Sequence, residues 1–243
     1  MESWYFSEQS YHPAWDLPGS PKIDAPSAPV DPEVAHRLLH EYLDECRLCD
    51  ELGINIMVNE HHATHTCMNV SCMLTLATLA TITRKVRLLA LGIPMLNRMD
   101  PLRIAEEIAY VDVLSRGRLE IGLIKGSTFE LYVSNAHPVT ATKRYWEAHD
   151  LVMAALTHTD GPFSWESENF NYRYVNVIPR WPTLAISATN DCCCEPGGRS
   201  GAARSEKPMM PVRMLLKSWA IPPASTLRLS SFCACRSWAS IIC

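Results

Sequence analysis

Short apolar runs alternate with amphipathic stretches along the first 190 residues of the chain. The run at residues 86–93 is mostly apolar, which is typical of a strand buried on both faces. Asp100 and Pro101 then predict the start of a helix, because aspartate caps free amides and proline suits the first helical turn. A second apolar run, at residues 120–124, follows this helix. The order strand, helix, strand predicts a βαβ unit with parallel strands.

The same pattern recurs and predicts an α/β architecture. Predicted strands lie at residues 2–6, 54–58, 86–93, 120–124 and 184–187. Predicted helices lie at residues 32–52, 73–83, 101–116 and 146–156, with a loop at 127–140 and a small hairpin at 162–174. Five strands joined by four crossovers fit either the first part of a (β/α)8 barrel or an open sheet. Periodicity alone does not separate these two folds.

The end of the chain differs from the rest in composition, charge and hydrophobic pattern. Residues 191–243 hold six of the ten cysteines and a net charge of +4, whereas residues 1–190 carry −8. The sequence Pro196-Gly197-Gly198 breaks helices, and no alternation follows it. We therefore expect a barrel portion at residues 1–190 and an irregular or disordered cysteine-rich tail at residues 191–243. Our hypothesis for the tail is a shifted reading frame or an artificial C-terminus, which the coding sequence around codons 180–192 would test.

Composition excludes several classes of function. The net charge of −4 gives no reason to expect nucleic acid or an anionic membrane as partner. No apolar run approaches the ~20 residues that span a bilayer, and the N-terminus lacks a signal-peptide pattern, so we expect a cytoplasmic protein. All nine histidines precede residue 159, and the tail cysteines are irregularly spaced, so no metal site is predicted.

Two residues are candidates for chemistry on their own pattern. His61 follows the second predicted strand and lies beside Glu60, so it could exchange a proton near neutral pH. The alternative is a histidine that only satisfies Glu60 at the sheet edge. Lys125 follows the fourth predicted strand and can act as a point charge towards a phosphate. The alternative for Lys125 is a solvated lysine at the rim.

Three motifs resemble those of the bacterial-luciferase-like flavin monooxygenase family. They are Asn59-Glu60-His61-His62, Asp100-Pro101-Leu102-Arg103 with its helix, and Gly122-Leu123-Ile124-Lys125-Gly126. The resemblance covers residues 1–190 and implies a TIM barrel, here truncated to five strands. It also implies an enzyme that takes reduced FMN from a separate flavin reductase and molecular oxygen as co-substrate. A small organic substrate would be oxygenated through a peroxyflavin, and a homodimer is expected because the family commonly dimerises.

The resemblance also implies roles for individual residues. His61 would lie over the reactive edge of the flavin ring, and Gly92–Ile93 would form a cis peptide against that ring. Lys125, where the family usually has arginine, would hold the flavin phosphate as a point charge. Ile124, Gly126, Ala188 and Thr189 would complete the flavin and phosphate site.

Two other interpretations stay open. The same fold serves enzymes that transfer hydride with the deazaflavin F420, and the sequence does not separate them from FMN enzymes. Alternatively, a chain that lacks the last three barrel strands would be an inactive fragment or a non-catalytic partner subunit, because its outer strands would have unpaired edges. Saturable binding of reduced FMN would distinguish the enzyme from the fragment.

Overall fold

Four parallel strands form the central sheet. The computed structural model describes residues 2–16 and 26–181, together with the backbones of 186–188 and 212–214. Its sheet contains β1 Trp4–Phe6, β2 Asn55–Val58, β3 Leu88–Pro94 and β4 Leu119–Ile124. The spatial order is β1-β2-β3-β4, so each strand pairs with the next one along the chain. The predicted α/β fold with parallel strands is confirmed.

Helices connect these strands and begin at the predicted caps. They are α1 Pro32–Leu52, α2 Cys72–Ile82, α3 Met95–Arg98, α4 Pro101–Ser115, α5 Thr128–Val133 and α6 Pro138–Thr157. Asp31 accepts a hydrogen bond from the amide of Glu33 at the start of α1. Asp100 accepts from the amides of Leu102 and Arg103 at the start of α4. Among the described helices, none has the length and hydropathy needed to cross a membrane.

The segment predicted as a loop at residues 127–140 is largely helical. It contains all of α5 and the first turn of α6. Ser127 and Glu130 form a capping box, in which each side chain accepts a hydrogen bond from the other's backbone amide. The loop prediction was wrong because α5 has only six residues, too few to show a helical period.

A hairpin and a separate two-stranded sheet follow α6. The hairpin of β5 Phe163–Glu166 and β6 Asn171–Val175 is antiparallel, as predicted. The fifth predicted strand corresponds to β7 Ile186–Ala188, but β7 pairs in parallel with β8 Val212–Met214 and not with the four-stranded sheet. The tail therefore contains one strand that was not predicted, because three residues are too few to show alternation. The remainder of residues 191–243 lies outside the described residues.

The core lies where the sheet packs against α2, α4 and α6. Leu88, Ile93, Ile108 and Leu151 are among its fully buried side chains. Burial of apolar surface on this scale is the main term that stabilises an α/β domain. It also fixes the positions at which β2, β3 and β4 end.

β3 bulges where the sequence analysis expected a cis peptide. Between Ala90 and Ile93, β3 carries one residue more than β4. Gly92 lies in this bulge, and a Cβ there would come within 2.7 Å of the Gly122 carbonyl oxygen. In the described part of the chain the cis bond is the one before Pro179, so the Gly92–Ile93 peptide is trans and that prediction was wrong. A glycine bulge redirects the strand without a cis bond.

Candidate functional site

The segments that follow β2, β3 and β4 meet at one edge of the sheet. Parallel strands end at the same edge, and barrel enzymes carry their chemistry there. His61 follows β2, Asn97 follows β3, and Lys125 and Gly126 follow β4. His61 contacts Glu130 of α5, while a Cβ on Gly126 would lie 3.4 Å from Oδ1 of Asn97. We call this region the carboxyl edge.

His61 pairs with a buried carboxylate at the carboxyl edge. Its Nδ1 lies 2.9 Å from Oε1 of Glu130, and the side chains are 41% and 4% exposed respectively. The hydrogen bond to Glu130 raises the pKa of His61 against the opposing effect of burial. Burial by itself would raise the pKa of Glu130, but hydrogen bonds from His61 and the Ser127 amide outweigh it and lower that pKa. The pair is therefore ionised between the two pKa values.

Glu130 belongs to this candidate site, and the sequence analysis did not select it. Its Oε2 accepts a hydrogen bond from the Ser127 amide at 2.7 Å, which leaves Oε1 for His61. The signal was present in Ser127-Thr128-Phe129-Glu130, because Ser-x-x-Glu is the pattern of a capping box. The same two residues thus start α5 and fix the carboxylate that orients His61.

A second histidine–carboxylate pair lies next to the first. The Glu60 side chain is 1% exposed, and its Oε1 lies 3.1 Å from Nε2 of His62. Its Oε2 accepts from Arg98 at 2.7 Å. Burial would raise the pKa of Glu60, but hydrogen bonds from His62 and Arg98 lower it. The interpretation of His61 as the partner of Glu60 is therefore wrong, since His62 has that role.

A cavity of about 310 Å³ opens beside Glu60. Asn97, Arg98 and Glu107 also line it. Arg98 bridges the carboxylates of Glu60 and Glu107, so these charges are already paired. His61 does not line this cavity. The cavity therefore lies beside the predicted site, not within it.

Lys125 carries a charged group that is available to a ligand, whereas the unpaired side-chain oxygen of Asn97 is enclosed. Lys125 is half-buried and has no ion pair or hydrogen bond with the described residues. Oδ1 of Asn97 is buried and has no partner within the same described ranges. Gly126, at φ +96°, lets the chain pass close to this oxygen. An ammonium group suits a phosphate, whereas the buried amide oxygen is not accessible to a ligand in this structure.

The remaining predicted residues have different positions. The Ile93 side chain is fully buried in the core, so only its backbone is near the carboxyl edge. Ile124 is half-buried, and its Cγ2 would lie 2.8 Å from a Cβ on Gly92, so these two residues pack together. Ala188 ends β7, outside the four-stranded sheet, and Thr189 lies outside the described residues. The phosphate roles of Ala188 and Thr189 stay predictions.

Comparisons with known proteins decide the family. A family model described as luciferase-like monooxygenase matches residues 24–195, more than half of the chain. The chain belongs to the luciferase-like monooxygenase family. The matched range includes His61, Lys125 and Glu130, and it ends close to the boundary predicted at residue 190. The resemblance drawn from the three sequence motifs is therefore confirmed.

Two curated relatives of this luciferase-like chain match part of its length. An uncharacterized protein, y4wF, of Sinorhizobium fredii is 33% identical over 153 residues, which cover 61% of this chain and 44% of the relative. The oxygenase component of the flavin-dependent trigonelline monooxygenase of Acinetobacter baylyi is 33% identical over 98 residues, or 40% of this chain and 27% of the relative. The chain spans less than half the length of either relative.

Solved structures share the fold. The oxygenating constituent of 3,6-diketocamphane monooxygenase from Pseudomonas putida, in complex with FMN, is 16% identical with a TM-score of 0.55, over 72% of this chain and 44% of that one. An F420-dependent secondary alcohol dehydrogenase is also 16% identical, with a TM-score of 0.52, over 59% and 46%. At this identity the likeness shows the fold alone. It supports an α/β portion of the luciferase-like barrel.

Proposed function

We propose that this luciferase-like chain is the flavin-binding part of an FMN-dependent monooxygenase. The reaction would place one oxygen atom of O2 on a small organic substrate and release the other as water, with both electrons coming from reduced FMN. A separate flavin reductase would supply the reduced FMN. The flavin supplies the oxygen chemistry when bound, whereas the residues of this chain bind it, orient it and exchange protons.

The observation that carries this proposal is the His61–Glu130 pair at the carboxyl edge of a luciferase-like chain. Glu130 fixes the orientation of the imidazole through Nδ1 at 2.9 Å, which leaves Nε2 to act on a bound reactant. Lys125 would attract the flavin phosphate. His61 and Lys125 follow different strands, so the sheet holds them in fixed register.

Two relatives support the choice of FMN and of a reductase partner. The trigonelline enzyme of Acinetobacter baylyi is named as an oxygenase component, which implies a separate component that delivers electrons to it. The diketocamphane enzyme is described in complex with FMN. This chain spans 44% of the latter structure, so the activity of a whole enzyme is part of this proposal and does not follow from the likeness.

An anaerobic titration tests the proposal. The full chain is titrated with reduced FMN, and binding is followed by flavin fluorescence or absorbance. We expect saturable binding that the double variant His61→Ala, Lys125→Ala loses. The matched control is His40→Ala, Lys85→Ala, which removes the same two side-chain types at exposed positions and should bind as the unmodified chain does. Equal binding by both double variants would contradict the assigned site.

Deazaflavin chemistry is the alternative within this fold. It is favoured by the structural likeness to an F420-dependent secondary alcohol dehydrogenase. A parallel titration with reduced F420 decides between the two cofactors. Tighter binding of F420 than of FMN, with no uptake of oxygen on mixing, would replace the monooxygenase by a hydride-transfer enzyme.

A non-catalytic fragment or partner subunit is the second alternative. It is favoured by the pairing of β7 with β8, which leaves β7 outside the four-stranded sheet. Such a chain would bind neither cofactor and would expose apolar surface to a hydrophobic dye. The expected homodimer also stays a prediction, which sedimentation equilibrium of the full chain would test.

A further inference from the structure

His61 lies between two carboxylates that come from different loops. Nδ1 is 2.9 Å from Oε1 of Glu130, which belongs to α5 after β4. On the other side of the ring, Nε2 is 3.8 Å from Oε2 of Glu8, which belongs to the segment after β1. The segments after three different strands, β1, β2 and β4, therefore each contribute one residue to this arrangement. We call Glu8, His61 and Glu130 the carboxylate clamp.

The Glu8 oxygen that faces His61 is held by a buried amide. It accepts a hydrogen bond from Nδ2 of Asn59 at 2.6 Å, and Asn59 is 6% exposed. The backbone oxygen of Asn59 in turn accepts from Nδ2 of Asn69 at 2.8 Å. This contact orders Glu8 although half of its side chain is exposed.

The chain on either side of this contact is also fixed. Gln9 is 5% exposed and has φ +51°. Its carbonyl oxygen accepts from the amide of Met68 at 2.9 Å, and the Ser10 hydroxyl donates to the carbonyl of Thr66 at 2.8 Å. The segment that carries Glu8 is thus docked on the segment that follows His61. The position of Glu8 is a built feature of the fold.

We propose that Glu8 and Glu130 are positioning residues that hold His61 as an imidazolium whose Nε2–H is free for a bound reactant. This inference rests on the proposed function, because the reactant is the substrate or oxygen species at the flavin. At 3.8 Å the Glu8 oxygen is too far to accept a full hydrogen bond from Nε2. Its charge still favours the protonated ring.

The surroundings of the ring support a cationic state. Glu130 faces it from α5, Glu8 from the segment after β1, and Glu60 from its own loop; all three raise the pKa of His61. Nε2 has no hydrogen-bond partner within the described residues. An imidazolium donates a proton and cannot accept one. His61 would therefore act as an acid, not as a base.

The proton transfer balances within the site. Nε2 would give its proton to an acceptor oxygen of the reactant, which leaves a neutral ring with the proton on Nδ1. Glu130 stabilises that tautomer by accepting the Nδ1–H hydrogen bond. Because the His61 side chain is 41% exposed, solvent can return the proton to Nε2 after each turnover.

An NMR titration of the histidine rings tests the clamp without any flavin. The imidazole signals of the full chain are followed against pH, and the His61 signal is assigned with His61→Gln. We expect the His61 midpoint to fall in Glu130→Gln and, by a smaller amount, in Glu8→Gln. Glu8→Asp keeps the charge and should recover most of the second shift. Glu106→Gln, an exposed helical glutamate that pairs with Arg103, is the matched control and should leave the midpoint unchanged.

The outcomes separate the clamp from the proposed function. A midpoint in Glu8→Gln equal to that in the control overturns the role of Glu8, whether or not FMN binds. Loss of FMN binding with the expected shifts leaves the clamp intact and rejects the monooxygenase. In an active preparation, an acid role predicts that turnover falls on the alkaline side and that Glu8→Gln moves this limb to lower pH. A fall on the acid side would mean that His61 is a base and would overturn the inference.

Discussion

Charged side chains have different partners at the two edges of the four-stranded sheet. At the amino edge, which precedes β3 and β4, Arg118 and Asp50 bind the backbone, while Arg87 pairs with Glu120. Arg118 donates to the carbonyls of four residues and to one hydroxyl, at 2.9–3.2 Å. Asp50 accepts from the amides of three consecutive residues, 84–86, at 2.8–3.0 Å. At the carboxyl edge, His61 and Glu130 bind each other across loops.

This difference suggests separate tests for the two edges, of fold stability at the amino edge and of the proposed ligand site at the carboxyl edge. Side-chain bonds to backbone groups satisfy donors and acceptors that would otherwise be buried and unpaired. They leave little capacity for another molecule. The carboxyl edge instead retains a lysine, Lys125, without a partner among the described residues. Substitutions at the two edges should therefore affect different measurements.

The largest expected effect is at the amino edge. Arg118→Ala should lower the free energy of unfolding by about 3–5 kcal/mol, because several buried carbonyls lose a charged donor. Chemical denaturation followed by circular dichroism measures this change. Arg84→Ala is the matched control, since that side chain is exposed, and should change stability by less than about 0.5 kcal/mol. Equal effects of the two variants would contradict the stabilising role of Arg118 at the amino edge.

At the carboxyl edge the effect should be on function. His61→Ala should reduce oxygenation by about 100- to 1000-fold, which is typical for loss of a general acid or base. The free energy of unfolding should change by less than about 1 kcal/mol, because the side chain is partly exposed. Product formation under saturating reduced FMN and a parallel denaturation curve measure the two quantities. A large loss of stability with normal turnover would reverse the assignment of the edges.

Asp112, near the end of α4, gives a test of how the stability of the fold depends on pH. It is 2% exposed, its Oδ1 has no partner in the described ranges, and burial raises its pKa to about 6. The folded state therefore binds a proton between pH 4 and pH 6 that the unfolded state releases, so Asp112 makes the fold less stable as the pH rises. In the unmodified chain, Asp112 should lower the free energy of unfolding by about 1–3 kcal/mol between pH 4 and pH 7. Asp112→Asn should abolish this decrease. A parallel decrease in the variant would exclude Asp112 as its source.

The smallest expected effect concerns Lys125 at the carboxyl edge and tests whether this residue faces the flavin phosphate. Lys125→Arg should tighten binding of FMN by about two- to fivefold, because a guanidinium can donate two parallel hydrogen bonds to a phosphate. Binding of riboflavin, which lacks the phosphate, should not change. An equal gain for riboflavin would show that residue 125 does not face the phosphate.

Short-range sequence patterns predicted the strands and long helices, whereas contacts between loops could not be predicted from them. Apolar runs and the caps Asp31 and Asp100 located the strands and long helices, and the position of His61 after β2 pointed to the candidate site. Glu130 was missed because its segment was assigned to a loop. Glu8 could not be selected, since its approach to His61 depends on how two loops dock. Pairing of β7 with β8 is likewise a long-range choice that periodicity does not encode.

Hydrogen exchange with and without reduced FMN tests the central claim most directly. The full chain is labelled anaerobically, and peptides from both edges are compared by mass spectrometry. We predict slower exchange on binding in residues 59–70 and 125–133, and no change in residues 83–87 and 115–119. Protection at the amino edge, or saturable binding without protection at the carboxyl edge, would contradict the account.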